Sequence, residues 1–519
     1  MDLTAVTATR DIAEGISSAE LPDGAMLEAS HDGERILLAR AGGVAYAIAA
    51  QCSHYGASLI NGLLVDDTVR CPLHHACFNL RTGDASCGPA FSPVAAYDVT
   101  ESDGVLHVGA KRATSTRVPG SAARQHKIGT IAILGAGAAG TAAADMLRRR
   151  GFDGRVVLIS AEPDLPYDRP NLSKDYLAGV APEEWLPLRP REFYDDAGIE
   201  LMLGQRVSGI APAGGELRTL SGQPLKYDRL LIATGAEAVR LPVSTHRLRH
   251  VFTLRSAGDA RAIIATSRTA QRAVVIGASF IGLEVAASLV ARGLDVHVVA
   301  QGRQPLEHVF GPVLSRFIQS LHESRGVRFH MHEHVRAVDE THVTLSSGDK
   351  LEAQLVVVGI GVRPSVAVAQ WAKLDVGDGV HVDEFLETSR PGIFAAGDIA
   401  CWPERVSGTR TRMEHWNVAV RQGQVAACNM LGERVPFAAV PYFWSQHYDV
   451  MLQYTGLQGG WDESVVHGDP ADRDCAVEFR RNGVTIGAAT IGRDVENLRA
   501  ELAFEQGENR EVAQILAGA

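Results

Sequence analysis

Four residues in the first fifth of the chain have the types and spacing of metal ligands. Cys52 and His54 are separated by one residue, sixteen residues follow, and then come Cys71 and His74, separated by two. Thiolate and neutral imidazole are donors for zinc and iron. Each half of the motif supplies one Cys and one His, whereas zinc fingers place both Cys in one half and both His in the other. The mixed halves suit two loops gripping a two-iron, two-sulfur cluster from opposite sides, with two thiolates on one iron and two imidazoles on the other. A single structural zinc is the alternative.

A second chemistry is written in glycine. Ile131 to Gly140 reads strand, then Gly135-x-Gly137-x-x-Gly140, then helix, and Glu162 follows at the end of the next strand. Glycines at this spacing let backbone approach a pyrophosphate at a helix N-terminus, and the carboxylate can bind ribose hydroxyls. The pattern recurs at Gly277-x-Ser279-x-x-Gly282, with Ser279 in place of the middle glycine. Two dinucleotide folds in one chain point to FAD plus NADH or NADPH. After the second strand of the second unit comes Ala300-Gln301-Gly302-Arg303. No acid stands there to select NADH. Arg303 can meet a 2′-phosphate, or be solvated while Gln301 binds the ribose, so dual use of NADH and NADPH is expected.

The surroundings of the metal motif, His54-Tyr-Gly-Ala with Leu59 and Cys71-Pro72 leading to Phe78 and Thr82-Gly83-Asp84, resemble the Rieske family, whose spacing keeps His74 as ligand. The family's usual Gly after the second His is His75 here, expected as a surface or loop histidine. The disulfide of high-potential members cannot form, because its positions hold Ala57 and Leu73. This resembles the ferredoxin branch and implies a potential towards the low end of roughly −150 to +300 mV. Cys77 and Cys87 are expected to be small buried residues.

Thr234-Gly235, the run Gly359 to Pro364 with Gly361, and Gly397-Asp398 resemble the two-dinucleotide-binding flavoprotein reductases. Tyr167-Asp-Arg169-Pro170-Asn-Leu-Ser-Lys174, Glu414-His415-Trp416 and Pro441-Tyr-Phe-Trp444-Ser look like the oxygenase-coupled ferredoxin reductases and the apoptosis-inducing-factor-like proteins. The resemblance implies catalytic roles for Lys174, Glu284 and Trp444. Lys174 and Glu284 should meet beside the flavin, where the cation stabilises negative charge on the reduced ring. Trp444 should lie near the ring, with Trp416 beside it or at the cleft. The resemblance also implies that Gly135, Gly137, Ala138, Ala139, Gly140, Glu162, Arg169, Val207, Thr234, Gly235, Asp398, Glu414, His415 and Trp416 bind FAD, and that Gly277, Ser279, Gly282, Glu284, Arg303 and Gly361 bind the nicotinamide nucleotide. The disulfide reductases of this fold carry C-x4-C soon after the first acid. Residues 162–180 contain no cysteine, so electrons are expected to leave singly through iron.

The elements that must position these residues divide the chain. Residues 1–112 read as short strands, such as ERILLAR, GVAYAIA and TVRCPL, forming an all-β Rieske domain. Residues 113–126 read as a small, polar, loosely tethering linker. An α/β pattern follows, with the FAD-binding domain at 127–244 and 369–434 around an NAD(P)-binding domain at 245–368. Residues 435–519 read as a small α+β reductase domain. The 519 residues are 46% hydrophobic and 21% charged, as in a soluble globular protein. A net charge of −11 argues against nucleic-acid binding. Residues 1–112 hold 14 acids and 7 bases, so −7 of the −11 lies there and can mark a docking face for a basic redox partner. Seven cysteines make no disulfide framework. The N-terminus lacks signal-peptide texture and no apolar run reads as a membrane span, so a soluble cytoplasmic monomer or homodimer is expected. The activity expected is electron flow from NAD(P)H through FAD to the chain's own cluster and on to a redox protein such as an oxygenase. The alternatives are an NADH oxidase or a redox-sensing flavoprotein of the apoptosis-inducing-factor type.

Overall fold

The computed structural model describes residues 10–112, 128–222, 224–245, 247–405 and 408–518. The expected linker, 113–126, lies outside them. Residues 16–111 build two antiparallel sheets. One has six strands, in the spatial order Ile16–Ser17, Val105–Lys111, Ala96–Ser102, Val44–Ala49, Glu34–Ala41 and Met26–His31. The other has four short ones, Leu63–Val65, Thr68–Arg70, Cys77–Asn79 and Ala85–Cys87. The run TVRCPL is strand only as far as Arg70, because the backbone turns at Cys71 to form a loop. Cys77 and Cys87 face each other across two strands and form a disulfide. Of the two residues expected to be small and buried, Cys77 is buried and Cys87 half-buried; strand register brings them together, and the bond between them was not expected.

Two parallel five-stranded sheets follow. The first runs Ile199–Met202, Arg155–Ile159, Thr130–Leu134, Arg229–Ile232 and Ile393–Ala395, and the second Val251–Thr253, Leu355–Val358, Arg272–Ile276, Asp295–Ala300 and Arg328–Met331. After their first residues the central strands, Thr130–Leu134 and Arg272–Ile276, are apolar and buried, because both faces are covered; on the second sheet helices cover one face and Val338, Val343 and Leu345 of a small antiparallel sheet cover the other. The strand at 393–395 joins the first sheet after the second is complete, so the first unit is split in sequence. Each fingerprint glycine has its own reason. Gly135 sits at φ +107°, and a Cβ on it would meet the Ala233 carbonyl at 2.1 Å. A Cβ on Gly140 would strike the Gly135 carbonyl at 1.8 Å, while Gly137 opens onto free space. Two glycines therefore close the strand–helix junction and the third leaves room for a ligand.

The last domain is a five-stranded antiparallel sheet with the helices Asp494–Gln506 and Asn509–Ala517. The run YFWSQHYDVMLQY folds as two strands, Tyr442–His447 and Val450–Gly456, joined by a turn with Tyr448 at φ +58°. Among the described residues no helix is long and apolar enough to cross a membrane.

Candidate functional site

A cleft of about 760 Å³ opens between the two dinucleotide units and the C-terminal sheet. The first fingerprint lines it with Gly135, Gly137, Ala138 and Ala139, while Gly140 packs behind them. Val207, Thr234, Gly235, Asp398, Glu414, His415 and Trp416 reach it from four other segments. Glu162 is held there by Arg169 Nη2 at 3.0 Å and by the Tyr167 hydroxyl at 2.5 Å. Asp398 accepts from Arg255 at 2.6 Å. Tyr167, which opens the motif of Arg169 and Lys174, lines the cleft as well, and so does Arg255, which motif reading does not reach because it belongs to no short fingerprint.

Lys174 and Glu284, 110 residues apart, meet at 2.8 Å in the cleft wall. Glu284 is nearly inaccessible, and Ser173 and Ser445 also donate to it, at 2.5 and 2.7 Å. A buried carboxylate needs this degree of pairing. Asp168, beside them and buried, is pushed up to about 6 by burial, against the opposing pull of the Tyr55 hydroxyl and Lys174.

The second fingerprint closes as the first does. Gly277 lies at φ +107° against the Gly359 carbonyl, and Gly282 packs on Gly277. Ser279 does more than replace a glycine. Its hydroxyl accepts from the Gly282 N–H at 3.2 Å, donates to the Gly359 carbonyl at 2.8 Å, and so caps the helix Phe280–Ala291. Gly361 opens onto free space. Arg303 is exposed and paired with Glu307, an acid placed by the fold where the strand end supplies none. Arg303, Gly277, Ser279, Gly282 and Gly361 stand outside the cleft lined by Glu284.

The metal-ligand candidates sit on two loops that meet at the cleft's edge. His54 Nδ1 and His74 Nδ1 face each other at 3.1 Å, and the Cys52 and Cys71 thiols, both buried, hydrogen-bond to each other. That bond and burial hold the Cys52 thiol up, and the same bond favours the thiolate of Cys71. Burial pushes His54 down to about 4 and His74 well below its ordinary value, so both imidazoles are neutral, the form that binds metal. Among the described residues no three His, Cys, Asp or Glu side chains are arranged to hold one ion. Two facing pairs fit a cluster with two ligands per iron; a tetrahedral zinc needs four on one atom.

The C-terminal sheet and the helix Trp416–Met430 enclose these loops. Tyr442 donates to the Leu73 carbonyl at 3.0 Å, Gln453 to those of Pro72 and Leu73 at 3.0 Å each, and Asn417 to that of His74 at 2.9 Å. His75, expected near the surface, is fully buried. It stacks on Tyr442 with ring centres 3.7 Å apart and bonds Glu501 at 2.5 Å, and Arg421 holds the same carboxylate at 2.7 Å. Arg70 pairs with Glu505 at 2.8 Å. The domain expected to hang loosely from a tether is docked, because complementary charges and carbonyl-directed donors fix it. Trp444 lines the cleft, and its ring centre is 4.2 Å from that of His74.

Residues 129–423, more than half the chain, match the family model "Pyridine nucleotide-disulphide oxidoreductase". The chain belongs to that family. Residues 14–98 of this oxidoreductase match the Rieske [2Fe-2S] domain, and residues 442–517 the reductase C-terminal domain. It is 39% identical over 368 residues to the 5,5'-dehydrodivanillate O-demethylase ferredoxin reductase subunit of Sphingobium sp. (strain NBRC 103272 / SYK-6), covering 70% of this chain and 89% of that one. It is 33% identical over 492 residues to apoptosis-inducing factor 3 of Mus musculus, covering 92% of this chain and 81% of the other. The putidaredoxin reductase–putidaredoxin complex superposes with a TM-score of 0.71 at 31% identity, over 75% of this chain and 99% of that one. The oxidoreductase is thus a ferredoxin-reductase-type enzyme. Its domains imply FAD, a [2Fe–2S] cluster and NAD(P)H as substrate. The cleft fits FAD on two counts. Gly137 leaves the space a pyrophosphate needs, and the buried polar atoms His415 Nδ1 and Trp416 Nε1 have no protein partner.

Proposed function

We propose that electrons from NAD(P)H cross the cleft to the cluster site of the same chain and leave from there to a separate redox protein, such as an oxygenase. Bound in the cleft, FAD would take a hydride and release electrons singly, and a [2Fe–2S] cluster would accept them one at a time. The chain's own residues define the rest. Gly135, Gly137 and the helix behind them would hold the pyrophosphate, and Glu162 the ribose. Glu284 positions Lys174, whose ammonium offsets negative charge developing on the ring. Cys52 and Cys71 would hold one iron, His54 and His74 the other.

The observation that carries the reading is Trp444. One side chain lines the nucleotide cleft and packs on the ring of a cluster-ligand candidate, with 4.2 Å between centres. The enclosure of the Pro72–His74 backbone by Tyr442, Gln453 and Asn417 supports an internal route over a diffusing one. Relatives named for an O-demethylase system favour an oxygenase as the outlet.

The test compares acceptors in wild type and in Cys71→Ser. Ferricyanide should be reduced by both. Cytochrome c, a basic one-electron acceptor suited to the acidic N-terminal domain, should lose most of its rate in the variant. Equal cytochrome c rates would overturn the internal route.

A further inference from the structure

Glu284 meets more than Lys174. Its Oε1 accepts from Ser445 Oγ at 2.7 Å, and from Ser445 a row of hydrogen-bonding groups leads away from the cleft. Ser445 Oγ lies 3.2 Å from His447 Nε2, His447 Nδ1 lies 3.1 Å from His322 Nε2, and His322 Nδ1 lies 3.2 Å from the Tyr448 hydroxyl. Ser445, His447 and His322 are fully buried. Tyr448 is partly exposed on its turn, with Arg325 over its ring at 5.2 Å. Neighbouring Asp449 is bound by Arg325 and Arg473.

The direction of each bond follows from the inner end. A Glu284 carboxylate paired with Lys174 only accepts. Ser445 therefore donates to it and accepts from His447 Nε2–H. A neutral imidazole has one N–H, so His447 Nδ1 accepts from His322 Nε2–H, and His322 Nδ1 accepts from Tyr448 O–H. Every bond points inward.

We propose that Tyr448, His322, His447 and Ser445 form a proton wire that carries a proton from solvent to Glu284 when the cleft is reduced and returns it on reoxidation. This rests on the reading that the cleft holds FAD. Hydride transfer brings one hydrogen and two electrons and leaves negative charge beside Lys174, which then faces two anions. A proton entering at Tyr448 shifts every proton one place inward and settles on Glu284, cancelling a charge that burial makes costly. The shift reverses each hydrogen bond. Once both electrons have passed singly to iron, the outward-pointing row returns that proton to solvent at Tyr448. The hydrogen that came as hydride leaves as a proton to solvent in the cleft. One NAD(P)H thus gives one NAD(P)+, one H+ and two electrons on iron, with the wire's proton taken up and given back.

The groups around the row suit it. Burial, aided by Lys174, pushes His447 down to about 3, and burial with His447 holds His322 well below its ordinary value, so both rings stay neutral. Burial raises the Tyr448 hydroxyl, with Arg325 pulling the other way. Ser173 and Lys174 are the other groups facing Glu284.

The test is the pH dependence of the flavin potential in the anaerobic holoprotein, followed by visible spectra. Reduction with one proton per two electrons changes the equilibrium constant tenfold per pH unit, about 30 mV; a second proton makes it a hundredfold, about 60 mV. Wild type should show the steeper slope and Glu284→Gln the shallower. Tyr448→Phe and His447→Gln should keep the steep slope but slow dye-reported proton uptake after a photoreducing flash by tenfold or more. Tyr448→Phe removes one hydroxyl at a partly exposed turn and keeps the test open if His447→Gln does not fold. Nitrogen-15 spectra of histidine-labelled oxidised protein should show Nε2–H tautomers at both positions. A one-proton slope in wild type, unchanged uptake in Tyr448→Phe, or Nδ1–H tautomers would overturn the wire. A protein that binds no flavin would overturn the reading of the cleft instead.

Discussion

Replacing Lys174 with Met keeps the length of the side chain and removes its charge. The ammonium lies 2.8 Å from Glu284, with the two side chains 13% and 4% exposed. At an effective dielectric of about 20, that separation corresponds to roughly 6 kcal/mol of gross attraction. Breaking a buried pair from one side leaves the other charge stranded and costs about 3–5 kcal/mol. Ser173 and Ser445 still donate to Glu284, which puts the loss near the lower end. The chemical effect is separate. A preorganised donor aimed at developing charge contributes about 10²–10³ in rate, or 2.7–4 kcal/mol. Anaerobic stopped-flow should therefore show NADH reducing the flavin of Lys174→Met about 10²–10³ times more slowly, with FAD retained. The double variant Lys174→Met/Glu284→Gln removes both charges and should recover most of the stability but none of the rate. Reduction at the wild-type rate in the single variant would remove Lys174 from the chemistry. A rate recovered in the double variant would show that Lys174 serves only to hold Glu284.

Replacing Cys52 or His54 with Ala should abolish the reduced-cluster EPR signal and leave FAD bound; unchanged iron content would refute the ligand assignment. Burial acts to raise the Glu501 carboxyl, but Arg421 and His75 outweigh it and hold it far below the usual carboxylate range. Its stabilising effect is thus complete above the ordinary carboxyl value of about 4.3 and fades as pH falls below it. Glu501→Gln should cost about 3–5 kcal/mol near neutral pH, seen as a lower calorimetric midpoint, and measurably less near pH 3, where the folded carboxylate is still charged but the unfolded one is mostly protonated. An equal loss at both pH values would contradict this. Arg303 is tied to Glu307, so neither nucleotide should be preferred by more than about a hundredfold, roughly 2.7 kcal/mol. Glu307→Gln should free Arg303 and raise kcat/KM for NADPH relative to NADH; an unchanged ratio would exclude Arg303 from recognising a 2′-phosphate.

The features legible in the sequence are those whose geometry is local. Cys-x-His and Cys-x-x-His each lie within one loop, so spacing alone puts two donors side by side. The Ile131–Gly140 junction is strand, turn and helix in ten residues, and steric limits on the backbone make its glycines recognisable. Ser279 shows where this begins to fail. Its size and its capping bond to the Gly282 N–H are local, but its second bond, to the Gly359 carbonyl, joins residues 80 apart. His75 was misjudged for the same reason, since only packing brings Glu501 and Tyr442 against it across more than 360 residues. The Cys77–Cys87 bond depends on the register of two strands, and the docking of the cluster loops on carbonyl acceptors that no side-chain motif records. The meeting of Trp444 with His74, and the row from Glu284 to Tyr448, exist only in the folded chain. Covalent spacing fixes what a few neighbouring residues can hold, but distant side chains are brought together by the burial and pairing of whole domains, which the order of residues does not display.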